Sequence, residues 1–408
     1  MVIACFLEIY SRKKSAVEHY PLICGGALRA AGSVVMRCLY LWWGVVFLMT
    51  AWGHASAEEP AATQSFWSGI SLKAKAQGEV VSNLAGGLAT GSVGNALFVG
   101  GLSWDSKSAG AWEGGKVVVN FLAADTGNPE AYVGDIQGVS NLTIPASLVR
   151  PYRLYFRQRW NPLSVRLGLL NANDYFDNAG VACDLLNASF GILPVLSQNL
   201  QGMPTYPFSS LGTMVALGGG DTTIQGGVFG ADAIHPWQQP FTQGALLLLE
   251  LDQSGALYDG RYTLKMGVMH NRQKASLAAS LGPNTSGFYG IGEYRWQTGP
   301  LHWGAFLQGG GAPKPINPVP WNVGGGLRLA GLIPWSAKDS LSVGFSRASL
   351  RGLPHAETSY ELTGLFGLVH GVHLQPDIQV VIHSGGDLPT SLVGILRLEI
   401  NFKELAGI

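Results

Sequence analysis

The chain is short of charge, of cysteine and of long apolar runs. Only 13 % of its 408 residues are Asp, Glu, Lys or Arg, about half the share of a soluble domain. Its 26 basic residues balance 26 acidic ones. That removes the basic footprint nucleic-acid binding requires, so no nucleic acid is expected as a partner. The four cysteines, at positions 5, 24, 38 and 183, lack the paired spacing of a zinc site and the density of a disulfide scaffold. After Ala57 no apolar run approaches the roughly 20 residues of a spanning helix, and no stretch sustains a 3.6-residue period. Glycine is plentiful instead, at 56 residues, about twice its usual share. A soluble sandwich, a fibrous chain and a membrane barrel all fit that composition.

The N-terminus reads as an address. Arg37 precedes the apolar run 39–51, and Ala55-Ser56-Ala57 follows it. A basic start, a short apolar core and a small-x-small end make an export signal. Residues 36–57 are therefore expected to be a signal peptide cut after Ala57. Met36 is the expected true start, and residues 1–35 an over-long gene-model extension. Cys183 is then the lone thiol of the mature chain.

Beyond Ala57 the pattern is period-two alternation in stretches of about ten residues, separated by turn chemistry. In the last such stretch Leu392, Gly394, Leu396, Leu398, Ile400 and Phe402 share one face. Val393, Ile395, Arg397, Glu399 and Asn401 share the other. Val372–His383, Thr358–Phe366 and Tyr152–Trp160 repeat the scheme, the last with Tyr152 and Leu154 opposed to Arg153 and Tyr155. Strands are predicted near 69–79, 95–105, 116–125, 149–160, 164–172, 211–218, 222–231, 244–252, 261–270, 286–297, 301–309, 321–331, 339–348, 356–367, 372–383 and 390–402. That is about sixteen, the even number a single-chain bacterial barrel requires.

The fold class implied is all-β: a transmembrane antiparallel up-and-down β-barrel over 58–402, followed by a tail at 403–408. Connections alternate in length. Short ones fall near 161–163, 218–221, 297–300 and 369–371. Long ones fall at 126–148, 173–210, 232–243, 271–285, 310–320 and 349–355. The turns near 106–115 and 253–260 are longer than this scheme prefers. Short periplasmic turns and long external loops are the expected asymmetry. Trp160, Tyr294, Trp296, Trp303, Trp321, Trp335 and Phe402 lie near strand ends, where water meets lipid, although ordinary packing would also place some of them there. A wall of sixteen strands encloses more space than its own side chains fill. The longest loop, 173–210, is the natural candidate to fold inward as a constriction, with a plain external loop as the alternative.

No HExxH, no nucleophile elbow and no phosphate loop occurs. The chain is therefore expected to be no enzyme and to carry no cofactor or metal. His370 and His373 flank a turn, and turn packing accounts for them.

Several blocks carry a family resemblance. They are RLGLLNAND at 166–174 followed by Phe176, NASFG at 187–191, GFYGIGE at 287–293, ETSYEL at 357–362, and LQPDIQ at 374–379 followed by HSGGD at 383–387. In order and spacing they resemble the carbohydrate-selective, OprB-like porin family, over roughly Phe66 to Phe402. Ser384 stands where a proline is expected, and the chain runs past Phe402. The resemblance implies a sixteen-stranded barrel passing glucose and other small sugars into the periplasm. Outer-membrane lipids would surround it, and it could be a monomer or a homotrimer.

A sugar is neutral, rich in hydroxyls and weakly apolar on its ring faces, so its pore needs donors, acceptors and aromatic surfaces. Arginine offers five donors in a rigid fork, and a carboxylate only acceptors. Inward parity offers Arg153, Arg157, Arg166, Glu250, Lys265, Glu293, Arg295, Glu361, Asp377, Gln379, Arg397 and Glu399. The candidate pore-lining residues are Arg153, Arg157, Arg166, Asn173 and Asp174, which adjoin the long loop, with Glu293, Arg295, Glu361, Asp377 and Arg397. Bracing of the wall by cross-strand pairs is the competing role for each. The competing functions are a general or anion-preferring porin, a barrel enzyme of the outer membrane, and an exported soluble β-sandwich or adhesin.

Overall fold

The computed structural model describes residues 65–405, apart from Gln201, Gln239, 274–283 and 334–338. The extension, the signal segment and Trp335 lie outside the described residues. Sixteen strands follow one another: β1 Ile70–Ala85, β2 Gly91–Asp105, β3 Gly115–Thr126, β4 Leu148–Trp160, β5 Leu163–Leu170, β6 Ser210–Gly219, β7 Thr222–Gly230 and β8 Gly244–Leu257. The second half is β9 Gly260–Gln273, β10 Asn284–Thr298, β11 Leu301–Gly311, β12 Trp321–Ala330, β13 Ser340–Ala348, β14 Glu357–Val369, β15 Val372–Ile382 and β16 Ser391–Asn401.

Each strand pairs antiparallel with its chain neighbours, and β16 returns to β1 to close the barrel. The closing seam runs from Lys75 opposite Asn401 to Ala85 opposite Leu392. Closure leaves no strand with an unpaired edge, which is the condition for strands to stand in lipid. All sixteen predicted strands are present. The rim where β1 begins and β16 ends has two-residue turns at 161–162, 220–221, 258–259, 299–300 and 370–371. The expected long turn at 253–260 is corrected: β8 continues to Leu257, so only Tyr258 and Asp259 connect it to β9. The turn after β2 is long, and Ser106, accepting from Gly115 N and donating to Trp112 O, ties it down.

The outward face is apolar all the way round. Leu72, Leu154, Leu167, Val215, Leu249, Met266, Leu307, Leu327, Val343, Tyr360 and Leu396 are all exposed. A soluble protein does not leave such a continuous belt in water, which removes the soluble sandwich. Aromatics ring the terminal rim. Phe66 stacks on Trp104 with centroids 5.4 Å apart, and Trp104 lies 5.6 Å from Trp112. Tyr294, Trp296 and Trp303 form a second stack at 5.5 and 5.9 Å. Phe402 meets Phe98 edge-on at 6.4 Å. Such girdles suit rings that are apolar at one end and polar at the other.

One face assignment is corrected. Tyr152 was expected outward with Leu154, but a bulge opposes Asn120 to Arg153 and Phe121 to Pro151. The extra residue turns Tyr152 inward, where it is 6 % exposed, beside an equally inward Arg153. Bulges re-aim side chains in this way.

Candidate functional site: an interior narrowed by two loops

Two loops of the rim opposite the start of β1 and the end of β16 fold into the barrel. In the 171–209 loop, Phe176, Leu193, Val195, Leu196, Leu200 and Met203 pack on Met214, Phe229, Leu246, Leu248, Met269 and Tyr289 of β6–β10. Further along the loop, Val181, Ala182, Leu185 and Phe190 pack on Ile291 and Phe306. The 127–147 loop, expected only as an external connection, also enters. Val133 and Val139 join Leu186 against Val81, Val381, Val393 and Ile395, and Leu142 and Ile144 join Leu97, Leu122 and Tyr152.

A loop inside a barrel brings backbone N–H and C=O groups that need partners. The inner wall supplies them. Glu250, fully buried, accepts from Asp177 N at 3.0 Å, Gln225 Nε2 at 2.7 Å and the Tyr289 hydroxyl at 2.7 Å. Gly267 lies opposite Tyr289 in the register. A Cβ there would sit 2.1 Å from the Tyr289 ring, so only glycine lets that ring lie across the wall and reach Glu250. Glu293 accepts from Val181 N. Glu361 accepts from Leu186 N and Asn187 N. Glu357 accepts from Ile136 N and Gln137 N, both at 2.9 Å, and from Gly385 N. Gln225, Gln308 and Gln379 donate to Tyr175 O, Ser189 O and Val139 O. Each bond contributes about 0.5–1.5 kcal/mol net, and more where the acceptor is charged, enough together to hold a loop that has no regular structure over most of its length.

The ten candidate residues therefore fall into different surroundings. Glu361, Glu293 and Arg397 are 2, 5 and 3 % exposed. The first two hold loop backbone, and Arg397 pairs with Glu79, so burial keeps all three from the channel water. Asp377 is also buried, beside Gln379, which donates to it at 3.0 Å. Asn173 Nδ2 donates to Phe176 O, Asp177 O and Gly191 O, shaping the loop from within.

The remaining five reach water. Arg153 grips Asp174 with both arms of its guanidinium and lies 4.3 Å over the Tyr152 ring. Arg166 lies 4.7 Å over the Tyr175 ring. Arg157 stands directly opposite Arg166 across β4 and β5, and its Nε has no partner. Arg295 is half-exposed and 3.2 Å from Glu293. Missed by the sequence reading were Gln225 and Glu79, within β7 and β1, and Asn322 at the start of β12, which accepts from Val195 N at 3.2 Å. Their only sequence signal is an inward position.

Burial sets the protonation of the inward loops. Asp177 is pushed up to about 7 by burial, against the hold of Leu193 N on its carboxylate. The Cys183 thiol is pushed up to about 11 by the crowding of its loop and then by neighbouring Asp184. Asp135 rises to about 8 through burial, then through Glu357 and Glu130. Among the described residues no group of three His, Cys, Asp or Glu side chains is placed to hold a metal ion.

A closed sixteen-strand barrel, apolar outside, polar inside and narrowed by inward loops, defines a porin-type channel of the outer membrane. The family model described as carbohydrate-selective porin, OprB family, matches residues 98–402, and the chain belongs to that family. It is thus a carbohydrate-selective porin. Solved structures agree in fold. The high-pH structure of Pseudomonas putida OprB superposes with a TM-score of 0.74 at 16 % identity, covering 84 % of this chain and 100 % of that one. The low-pH structure of the same protein gives 0.56 at 14 %, over 82 and 93 %. A mutant Rh. blastica porin gives 0.51 at 9 %, over 82 and 100 %. No curated protein matches the chain in a sequence search.

Proposed function

We propose that this porin passes glucose-sized neutral sugars through an aperture between the 171–209 loop and the β4–β5 wall, where Arg153, Arg157, Arg166, Asp174 and Tyr175 meet the solute. The observation that carries this is the Arg157–Arg166 juxtaposition. Like charges directly across a strand pair destabilise it, and Arg157 leaves a buried Nε unpaired. A wall that only needed bracing gains nothing from that arrangement. A pore that must offer donors to passing hydroxyls does. Asp174 supplies acceptors beside them, and the tyrosine rings supply flat apolar surface for a sugar face. Asn173 acts one step back, holding the turn that presents Asp174. Arg295 serves the chamber on the terminal side of the loop. Asp377, Glu293, Glu361 and Arg397 act through the loops.

The mature chain is exported by the 36–57 signal and sits with its two-residue turns in the periplasm and its long loops outside, its apolar belt in lipid. It functions as a monomer or homotrimer, with each barrel holding a complete aperture. Passage is passive and involves no covalent chemistry. In liposome swelling, Arg157→Ala with Arg166→Ala should blunt discrimination among sugars of similar size while ion conductance rises. Unchanged relative rates across a graded sugar series would remove these arginines from the solute path. A general or anion-preferring pore would instead show conductance set by salt gradients and insensitive to sugar competition.

A further inference from the structure

At the seam where the last strand meets the first, a charged cluster lies buried. Glu79 of β1 and Arg397 of β16 are registered partners, 2.7 Å apart, with side chains 0 and 4 % exposed. The pair does not stop at the wall. Asn95 Nδ2 of β2 donates to Glu79 at 2.7 Å. Ser140 donates its hydroxyl to that same oxygen, Oε1, while Arg397 Nε donates to Oε2, and Arg397 Nη2 donates to Asn141 Oδ1 at 2.8 Å. Ser140 and Asn141 form the inward tip of the 127–147 loop. That tip meets the long loop: Asn141 N donates to Leu186 O and Ala188 N to Gly138 O, both at 2.8 Å.

We propose that the Glu79–Arg397 pair is a latch that positions the 127–147 loop, and through it the 185–188 stretch of the long loop, so that two loops set the aperture. A buried ion pair is costly unless its remaining hydrogen-bonding capacity is filled. Here the loop tip fills it, so the barrel seam and the loop tip stabilise each other. A plain cross-strand brace would need neither Ser140 nor Asn141. These are positioning residues: Glu79, Arg397 and Ser140 are buried, and the Asn141 side chain is engaged by Arg397 and Leu185 O. The inference rests on the long loop being the constriction but not on which side chains touch sugar.

The test uses the full-length protein refolded or expressed in membranes. Ser140→Ala with Asn141→Ala leaves the Glu79–Arg397 pair intact and removes only the loop's grip. Proteinase K should then cut the 127–147 loop about tenfold faster than in the parent. Single-channel conductance should rise, and larger sugars should enter liposomes. Asn141→Asp keeps an acceptor for Arg397 and should restore protection and conductance together. The barrel must stay heat-modifiable in gels throughout, which separates loop release from failure to fold. Loop cleavage and conductance both at parental values in the double variant would overturn the latch. Release of the loop with unchanged conductance and sugar cut-off would overturn its role in the aperture. Neither result depends on the arginine substitutions, so failure of the sugar-contact reading stays distinguishable.

Discussion

The acidic and basic side chains of the inner wall have opposite fates. Along β8, β10 and β14 the carboxylates Glu250, Glu293, Glu357 and Glu361 are buried under the inward loops and accept their backbone N–H groups. Along β4 and β5 the guanidinium groups of Arg153, Arg157 and Arg166 stay half-buried at the edge of open space, stacked on tyrosines or facing one another. Along these strands, therefore, acid holds the loops and base stays within reach of water, whereas at the seam Arg397 is itself sealed against Glu79. The physical reason is donor–acceptor asymmetry. A loop folded inward presents N–H groups that only acceptors can satisfy, and a carboxylate is acceptor-only.

The contrast can be broken first on its acidic side. Glu361→Ala leaves the Leu186 and Asn187 N–H groups without their acceptor, at roughly 1–3 kcal/mol for each buried donor. Denaturant midpoints should fall and conductance rise, with Glu361→Gln recovering only part of both, because its amide keeps one acceptor oxygen for two N–H groups. An alanine variant with the parental midpoint would mean the loop does not depend on this anchor.

Next in size is a pH effect at Asp177. Its folded pKa, near 7, lies above the ordinary carboxylate value of 3.8. Between about pH 4 and 7 the folded chain keeps a proton that the unfolded chain has released. Stability from this group is therefore greatest at low pH and declines as pH rises through that window, by up to about 4 kcal/mol over its full span. Asp177→Asn still offers Leu193 N an oxygen and should flatten the curve. An equally sloped curve in the variant would assign the dependence elsewhere.

A smaller effect sharpens where open space lies. Cys183 is exposed on the loop beside Arg328's partner Asp184. A methanethiosulfonate reagent should lower conductance, and Cys183→Ser should abolish the response. With the thiol near 11, the labelling rate should climb about tenfold per pH unit between pH 7 and 9, because the thiolate is the reacting form. Full labelling without any current change would place this part of the loop off the solute path. The smallest effect belongs to the terminal rim. Lys107 and Glu113 pair at 2.8 Å in open water, and exposed pairs contribute little. Lys107→Ala should leave midpoint, conductance and sugar flux where they were.

Much of the wall was legible because lipid and water impose period two. Leu396 and Leu398 against Val393, Ile395 and Arg397 of β16 read the same in sequence and in space. Failures occurred where the period broke. Tyr152 needed the bulge against Asn120 and Phe121, and Pro151 beside it hinted at irregular pairing without giving its direction. The inward dive of 127–147 had a fainter sign. Val133, Ile136, Val139, Leu142 and Ile144 make it more apolar than a loop in water needs to be.

Alternation along single strands was enough to determine the class of protein: the sequence by itself specifies an even number of strands, an apolar outside and a polar inside. It could not say which polar inward groups stay wet. Arg397 and Arg166 have the same parity and the same chemistry, yet one is sealed against Glu79 at the seam and the other lies over Tyr175 at the aperture. That difference depends on where two loops, distant in sequence from most of their partners, come to rest. Parity is local, fixed by the pleat of one strand. Burial inside a barrel depends on what else enters it, and only the tertiary structure decides that.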